Sequence, residues 1–246
     1  MRAVPHASSG TTMMVAAVIP AYNEGGNVGR VVESIPRDLV RDVIVVNDHS
    51  TDGTAMESIQ NGASHVTMCD SHGVGAAIKA GYAEALRRGA DVVIVLAADG
   101  QHDPCEIPVI LAPIVTGTAD YVVGDRLSNC SPSNGMRPLR FVGNHLLTRL
   151  TGLITGIDVK DSQCGFTAAT RQAIEKFDLQ WLSNSWGVPN DFLVECSRLG
   201  MRVSFIPISA LVGWRRSYIH LPSYVPRMIF VLARGALRLK KAHGVR

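Results

Sequence analysis

Short β-branched runs alternating with helical patterns constrain this chain more than any other feature. Val15–Ile19, Asp42–Val46, His65–Met68, Asp91–Leu96 and Asp120–Val123 read as strands, and 25–35, 52–60, 75–88 and 104–115 between them read as helices. The strands are nearly continuous in apolar residues, as a parallel sheet covered on both faces requires. A three-layer α/β fold with a mostly parallel central sheet follows. One helix start is well marked: Asp103 can cap, Pro104 suits the first helical position, and Glu106 stands where it would complete a capping box. The loop before it is thereby set at the carboxyl end of a strand, the edge where open α/β sheets bind ligands.

After Gly124 the pattern changes. Residues 126–137 are rich in Ser, Asn, Pro and Gly and read as a loop; a helix at 138–155, an extended piece around 165–170, a helix at 188–199 and a strand at 201–206 follow. With no internal repeat and no convincing linker, the chain divides into a flexible tail at 1–13, one α/β domain at 14–213 and a basic amphipathic C-terminal segment at 214–246. A length of 246 residues suits one sizeable core. Hydrophobic residues at 46% and charged ones at 18% exclude a disordered chain.

Charge is unevenly distributed. Arg215 to Arg246 contain no carboxylate and eight Lys or Arg, leaving sixteen basic against twenty-one acidic residues in the rest, so a net charge of +3 conceals an acidic body and a basic tail. That pattern disfavours a nucleic-acid binder and points to an anionic surface met by the tail. If 224–241 is helical, Arg227, Arg234, Arg238 and Lys241 project from one face among Met228, Ile229, Phe230, Val231, Leu232, Leu237 and Leu239, as suits the plane of an anionic membrane interface. A helix docked on the domain, or on a second copy in a homo-oligomer, is the alternative. No apolar stretch approaches the roughly 20 residues needed to span a bilayer. The run Met13–Ile19 lacks the charged flank of a signal peptide and reads as a first strand. Five scattered cysteines without a Cys-x-x-Cys pair fit reduced thiols in the cytoplasm.

Four loops can carry chemistry. Pro20-Ala21-Tyr22-Asn23-Glu24 follows the first strand and Asn47 to Thr54 the second; neither has the glycine-rich turn of a dinucleotide site, and Gly73-Val74-Gly75 is too short to supply it. Asp48 and Asp52 would ordinarily be read as capping a turn and a helix. In Ala98-Asp99-Gly100-Gln101-His102-Asp103-Pro104 a carboxylate and an amide two residues apart can both offer oxygen to Mg²⁺ or Mn²⁺. Asp161-Ser162-Gln163-Cys164-Gly165-Phe166 follows Arg126, Arg137 and Arg140, and arginines without nearby acids suit phosphate oxygens.

In order and spacing, 20–24, Val-Val-Asn-Asp-His-Ser-Thr-Asp-Gly-Thr at 45–54, Gly-Val-Gly-Ala-Ala-Ile at 73–78 and 98–104 resemble the family 2 glycosyltransferases of the GT-A fold. Gly124-Asp125-Arg126, Gly143-Asn144, Asp161 to Phe166 and Asn190-Asp191 extend the likeness to dolichyl-phosphate mannose synthase and other polyprenyl-phosphate glycosyltransferases, over about 14–241. The resemblance implies an inverting transfer of a hexose from a UDP- or GDP-sugar to a polyprenyl or dolichyl phosphate at the cytoplasmic membrane face. It assigns Pro20, Tyr22 and Glu24 to the nucleotide pocket, Asp48 to the base or ribose, Asp99 and Gln101 to a Mg²⁺ or Mn²⁺ on the donor pyrophosphate, and Arg126 and Arg137 to the acceptor phosphate. Asp191 falls where relatives carry an acidic residue near the acceptor.

One departure is visible. The family's Asp-x-Asp pattern would put a carboxylate at Ala97, so one anionic ligand is missing. Two other functions follow from the same residues: transfer to a soluble hydroxyl acceptor with Asp191 as general base, or nucleotide-sugar binding without catalysis.

Overall fold

The computed structural model describes residues 13–68, 72–129, 138–209 and 221–243. The expected tail at 1–13 therefore lies, but for Met13, outside the described residues, as do Arg137 and 210–220. A seven-stranded sheet is built from β1 (Val15–Ala21), β2 (Asp42–Asn47), β3 (His65–Met68), β4 (Val92–Val95), β5 (Tyr121–Asp125), β6 (Thr167–Thr170) and β7 (Val203–Pro207), in the order β3-β2-β1-β4-β6-β5-β7. All pairs are parallel except those of β6, which runs antiparallel to both β4 and β5. The connecting helices are α1 (Val28–Glu33), α2 (Thr54–Gln60), α3 (Val74–Arg87), α4 (Ile107–Val115), α5 (Pro138–Thr155), α6 (Arg171–Lys176), α7 (Val188–Leu199) and α8 (Leu221–His243).

The apolar runs do what their composition demands. Residues 15–19, 43–46 and 92–95 are buried, and the sheet is covered on both faces. β1 extends two residues further than its apolar run, through Pro20 and Ala21, which pair with Val46 and Asn47 of β2. A proline survives there because its nitrogen faces the β4 side, where β4 has already ended opposite Val18.

Two local expectations change. Asp103 caps as expected, accepting from Cys105 N at 2.9 Å, and Pro104 opens a 3₁₀ turn, Pro104–Glu106, ahead of α4. Glu106 does not close a capping box: its Oε1 accepts from Ser209 N at 2.8 Å, tying the helix start to the segment after β7. α6 has no counterpart in the sequence reading; Thr170 caps it, its hydroxyl accepting from Ala173 N at 3.1 Å.

Candidate active site

The loops after β1 and β2 are one hydrogen-bonded unit. Asn23, at a φ of 51°, donates its N–H to Ser50 Oγ at 3.0 Å, and its Oδ1 accepts from Thr51 N at 2.9 Å. Glu24 N and Gly25 N donate to Thr54 Oγ1 and Asp52 Oδ2 at 2.9 and 3.0 Å. Glu57, from α2, accepts from Gly26 N and Gly29 N, placing a carboxylate at the amino end of α1. Asp52 is structural: burial opposes its ionisation, but bonds from Thr54 and Gly25 outweigh it and hold its carboxyl below the usual range. Within this frame Tyr22 is exposed, Pro20 is half-buried, and buried Glu24 accepts from Asn27 Nδ2 at 2.9 Å.

Asp48 is used differently. It is buried at the end of β2, its Oδ2 accepts from Gly73 N at 2.8 Å, and its Oδ1 stands 3.4 Å from His49 Nδ1 and 3.6 Å from His72 Nδ1. The glycines beyond it serve close packing. A Cβ at Gly73 would lie 2.2 Å from the Asn184 carbonyl oxygen and one at Gly75 2.1 Å from that of Ser183, and Gly73 holds a φ of 111°. The Asn184 carbonyl accepts from Gly75 N and Ala76 N at 3.0 and 3.3 Å, satisfying the first turn of α3.

The loop after β4 is wound on its own polar groups. Asp99 Oδ1 accepts from Gln101 N at 3.0 Å, Gly100 turns at a φ of 76°, and buried His102 accepts the Ala97 N–H on Nδ1 at 3.1 Å. Burial, with the nearby Arg126 charge, pushes the His102 pKa down to about 3, so the ring is neutral and stacks on Phe166 at 5.3 Å. Asp99 and Gln101, both half-buried, share this turn. Their hard oxygens fit Mg²⁺ or Mn²⁺ better than a softer ion, with a single carboxylate because Ala97 offers none. β1 lies between β2 and β4, so the Asp48 and Asp99 loops flank its carboxyl end, roughly two strand spacings or ~10 Å apart.

Residues 16–178 match the model of glycosyl transferase family 2. The chain belongs to that family. This glycosyltransferase is 32% identical over 219 residues to an undecaprenyl-phosphate mannosyltransferase of Micrococcus luteus, covering 80% of this chain and 83% of that protein. It is 28% identical over 193 residues to the glycosyltransferase AglJ of Haloferax volcanii; the match takes in 78% of this chain but 61% of that longer protein. Among solved structures, glucosyl-3-phosphoglycerate synthase of Mycobacterium tuberculosis, crystallised with Mn²⁺, UDP and glucosyl-3-phosphoglycerate, superposes with a TM-score of 0.74 at 21% identity, covering 95% of this chain and 86% of that one. That likeness establishes the shared GT-A fold.

Three expectations about the rest of the glycosyltransferase need correction. Arg126 is not an arginine without an acid: its Nε and Nη2 meet Asp161 Oδ2 and Oδ1 at 2.8 and 3.1 Å, and both residues are buried. The pair holds the 161–166 loop against the end of β5, which removes the ground for reading Arg126 as a phosphate ligand; Arg137 lies outside the described residues. Asp191 is not open to an acceptor. Fully buried in the first turn of α7, its Oδ2 accepts from Ser183 N at 2.7 Å and from Arg234 at 2.5 Å, while its Oδ1 is buried without a hydrogen bond. Burial raises its carboxyl pKa against the pull of Arg234.

The third correction concerns α8, whose arginines bond to the domain while Arg227 and Lys241 stay exposed. Arg227 donates to Ser185 Oγ at 2.8 Å, Arg234 pairs with Asp191, and Arg238 bonds Glu195 and Asp178 at 2.7 and 2.9 Å. The guanidinium carbons of Arg234 and Arg238 stand 4.3 and 4.4 Å from the Trp181 ring centroid. Ile229, Phe230 and Leu237 are 62–65% exposed instead, while Met228, Val231, Leu232 and Leu239 are buried. Among the described residues no helix is long and apolar enough to cross a membrane. Described Cys105, Cys164 and Cys196 are free thiols, and burial pushes Cys164 up to about 12, too high for a nucleophile at neutral pH.

Proposed function

We propose that this glycosyltransferase moves a hexose from a nucleoside-diphosphate sugar to a polyprenyl phosphate at a membrane surface. The reading rests chiefly on the flanking of the β1 carboxyl end by the Asp48 loop on one side and the Asp99–Gln101 turn on the other. In it, Pro20, Tyr22 and Glu24 line the nucleotide pocket, Asp48 bonds the base or ribose, and Asp99 with Gln101 would hold Mg²⁺ or Mn²⁺ at the donor pyrophosphate. When bound, such a cation neutralises charge on the departing diphosphate. The half-buried setting of Asp99 lowers the local dielectric, which strengthens its hold on that charge.

The choice of acceptor is supported by Asp191 as well as by the Micrococcus luteus relative. A sugar hydroxyl must give its proton to a base, and Asp191, the candidate base of that chemistry, is engaged by Arg234 and Ser183. A lipid phosphate is already an anion at neutral pH and needs none. The exposed Ile229, Phe230 and Leu237 of α8, on the same helix as exposed Lys240 and Lys241, fit the plane of an anionic bilayer interface, apolar residues inserted and lysines at the headgroups.

Incubation with labelled UDP- and GDP-hexoses, Mg²⁺ or Mn²⁺ and short polyprenyl phosphates tests the proposal. Lipid-linked sugar is the expected product; transfer to no polyprenyl phosphate from any of these donors overturns it.

A further inference from the structure

The Asp99–Gln101 turn is not the only place on the sheet edge where ligand atoms converge. Asp48, His49 and His72 each bring one such atom, and the three lie within 4.8 Å of one another. A charge-assisted hydrogen bond between imidazole and carboxylate would be ~2.7–2.9 Å long. The two nitrogens instead sit 3.4 and 3.6 Å from Asp48 Oδ1. A tetrahedral ion with arms of about 2.0–2.1 Å has edges of about 3.3–3.4 Å. The two Oδ1–Nδ1 spacings, the shorter of them a long hydrogen bond, thus match the edges around a common ion, and the third edge lies within 4.8 Å.

The surroundings agree with that spacing. Asp48 Oδ2 is fixed by Gly73 N, which aims Oδ1 at the two rings, an outer-shell bond of the kind that orients metal ligands. The ring centroids of His49 and His72 are 4.1 Å apart. The His49 and His72 side chains are 37% and 77% exposed, which leaves an entry path and room for water as a fourth ligand.

We propose that Asp48, His49 and His72 form a second metal site, selective for Zn²⁺ or a similar late transition ion over Mg²⁺. Two imidazoles and one carboxylate suit a borderline-soft ion, whereas the oxygens of Asp99 and Gln101 suit a hard one. A consequence follows that rests on the proposed nucleotide pocket. Asp48 cannot serve Zn²⁺ and the donor nucleoside together, so Zn²⁺ inhibits by competing with the donor.

Zn²⁺ titration of the full chain by calorimetry, with excess Mg²⁺ and reductant present, tests the site. One equivalent is expected to bind, tenfold or more weakly in His49→Gly and in His72→Ala and unchanged in Asp99→Asn, with all variants checked for unaltered circular dichroism. Equal Zn²⁺ affinity in the wild type and both histidine variants overturns the proposal. A second titration, with UDP or GDP, separates the two readings. Zn²⁺ should weaken nucleotide binding in the wild type and not in His72→Ala. If Zn²⁺ requires both histidines yet leaves nucleotide affinity untouched, the metal site stands and the assignment of Asp48 to the nucleotide falls.

Discussion

Carboxylates occupy two contrasting settings in this molecule. At the sheet edge Asp48 and Asp99 are anchored by backbone N–H groups, of Gly73 and Gln101 respectively. Beneath α8, Asp191, Glu195 and Asp178 are anchored by guanidinium groups: Arg234 for the first, Arg238 for the other two, with Arg198 also on Glu195. A backbone N–H orients a carboxylate without cancelling its charge. A bidentate or stacked arginine cancels that charge and converts the residue into a joint. Two charges of the basic tail, those of Arg234 and Arg238, are thus neutralised by acids of the body, while α8 exposes Ile229, Phe230 and Leu237 beside Lys240 and Lys241.

Asp99→Asn sharpens this contrast most. Its Oδ1 bond to Gln101 N can survive in the amide, so folding should be nearly unchanged while turnover falls about 10²–10³-fold, in the range of lost electrostatic stabilisation at a reacting centre. Steady-state rates at saturating Mn²⁺, set beside a thermal melt, measure both. An Asp99→Asn enzyme of near-wild-type activity would remove the Asp99 turn from the site.

The same edge loop makes a pH prediction through His102. Its folded pKa of about 3 lies below the ordinary 6.5, so between those values the unfolded chain binds the extra proton. The stability gained from keeping His102 neutral is therefore complete above pH 6.5 and is lost as pH falls toward 3. The loss is on the order of 5 kcal/mol over that whole range, at up to about 1.4 kcal/mol per pH unit. His102→Asn keeps an acceptor near the Ala97 N–H and removes the titration. Urea unfolding from pH 7 to pH 4 should show the wild type losing its margin over the variant; parallel curves would break the assignment of a buried neutral imidazole.

Beneath α8 the expected effect is on stability. Asp191→Asn leaves Arg234 half-buried without a counter-charge and should cost about 2–4 kcal/mol. A double Asp191→Leu, Arg234→Met variant, which removes both charges, should recover much of that. Urea midpoints measure the pair. Should Asp191→Asn instead abolish turnover in protein as stable as the wild type, Asp191 would belong with Asp99, and the hydroxyl-acceptor chemistry would regain its base.

The contrast was only half legible in the sequence. Strand and helix order could be read because apolar runs and their spacing are local, and the Asp103–Pro104 start of the 3₁₀ turn is visible in two adjacent residues. Glu106 mimics a capping box in the local sequence because its actual partner, Ser209 N, lies 103 positions away. Arg126 with Asp161 and Arg234 with Asp191 are separated by 35 and 43 positions. Helical spacing groups Arg227, Arg234, Arg238 and Lys241 on one face; the three arginines meet the domain and Lys241 stays exposed. Which way that face turns depends on acids at 178, 191 and 195 and on the Trp181 ring, and no local pattern carries that. The Gly73-Val74-Gly75 motif likewise needed the chain at 183–184 before its close packing could be seen.

The outward face of α8 gives the smallest expected effect on the fold and a selective one on location. Ile229, Phe230, Ala233 and Leu237 follow helical spacing along one exposed face, with Lys240 and Lys241 exposed near its end. Because these side chains lie in solvent, Phe230→Ser with Leu237→Ser should shift stability by no more than about 0.5 kcal/mol. Removing α8 would be a poorer experiment, since it would also strip Asp191 and Asp178 of their arginines and leave Glu195 only Arg198. Sedimentation with vesicles containing anionic lipid should show the double serine variant binding at least tenfold more weakly than the wild type, and Lys240→Ser with Lys241→Ser losing less, in a salt-dependent way. Equal binding by wild type and both variants would mean that this face meets no bilayer, and the membrane part of the proposed function would have to rest on another surface.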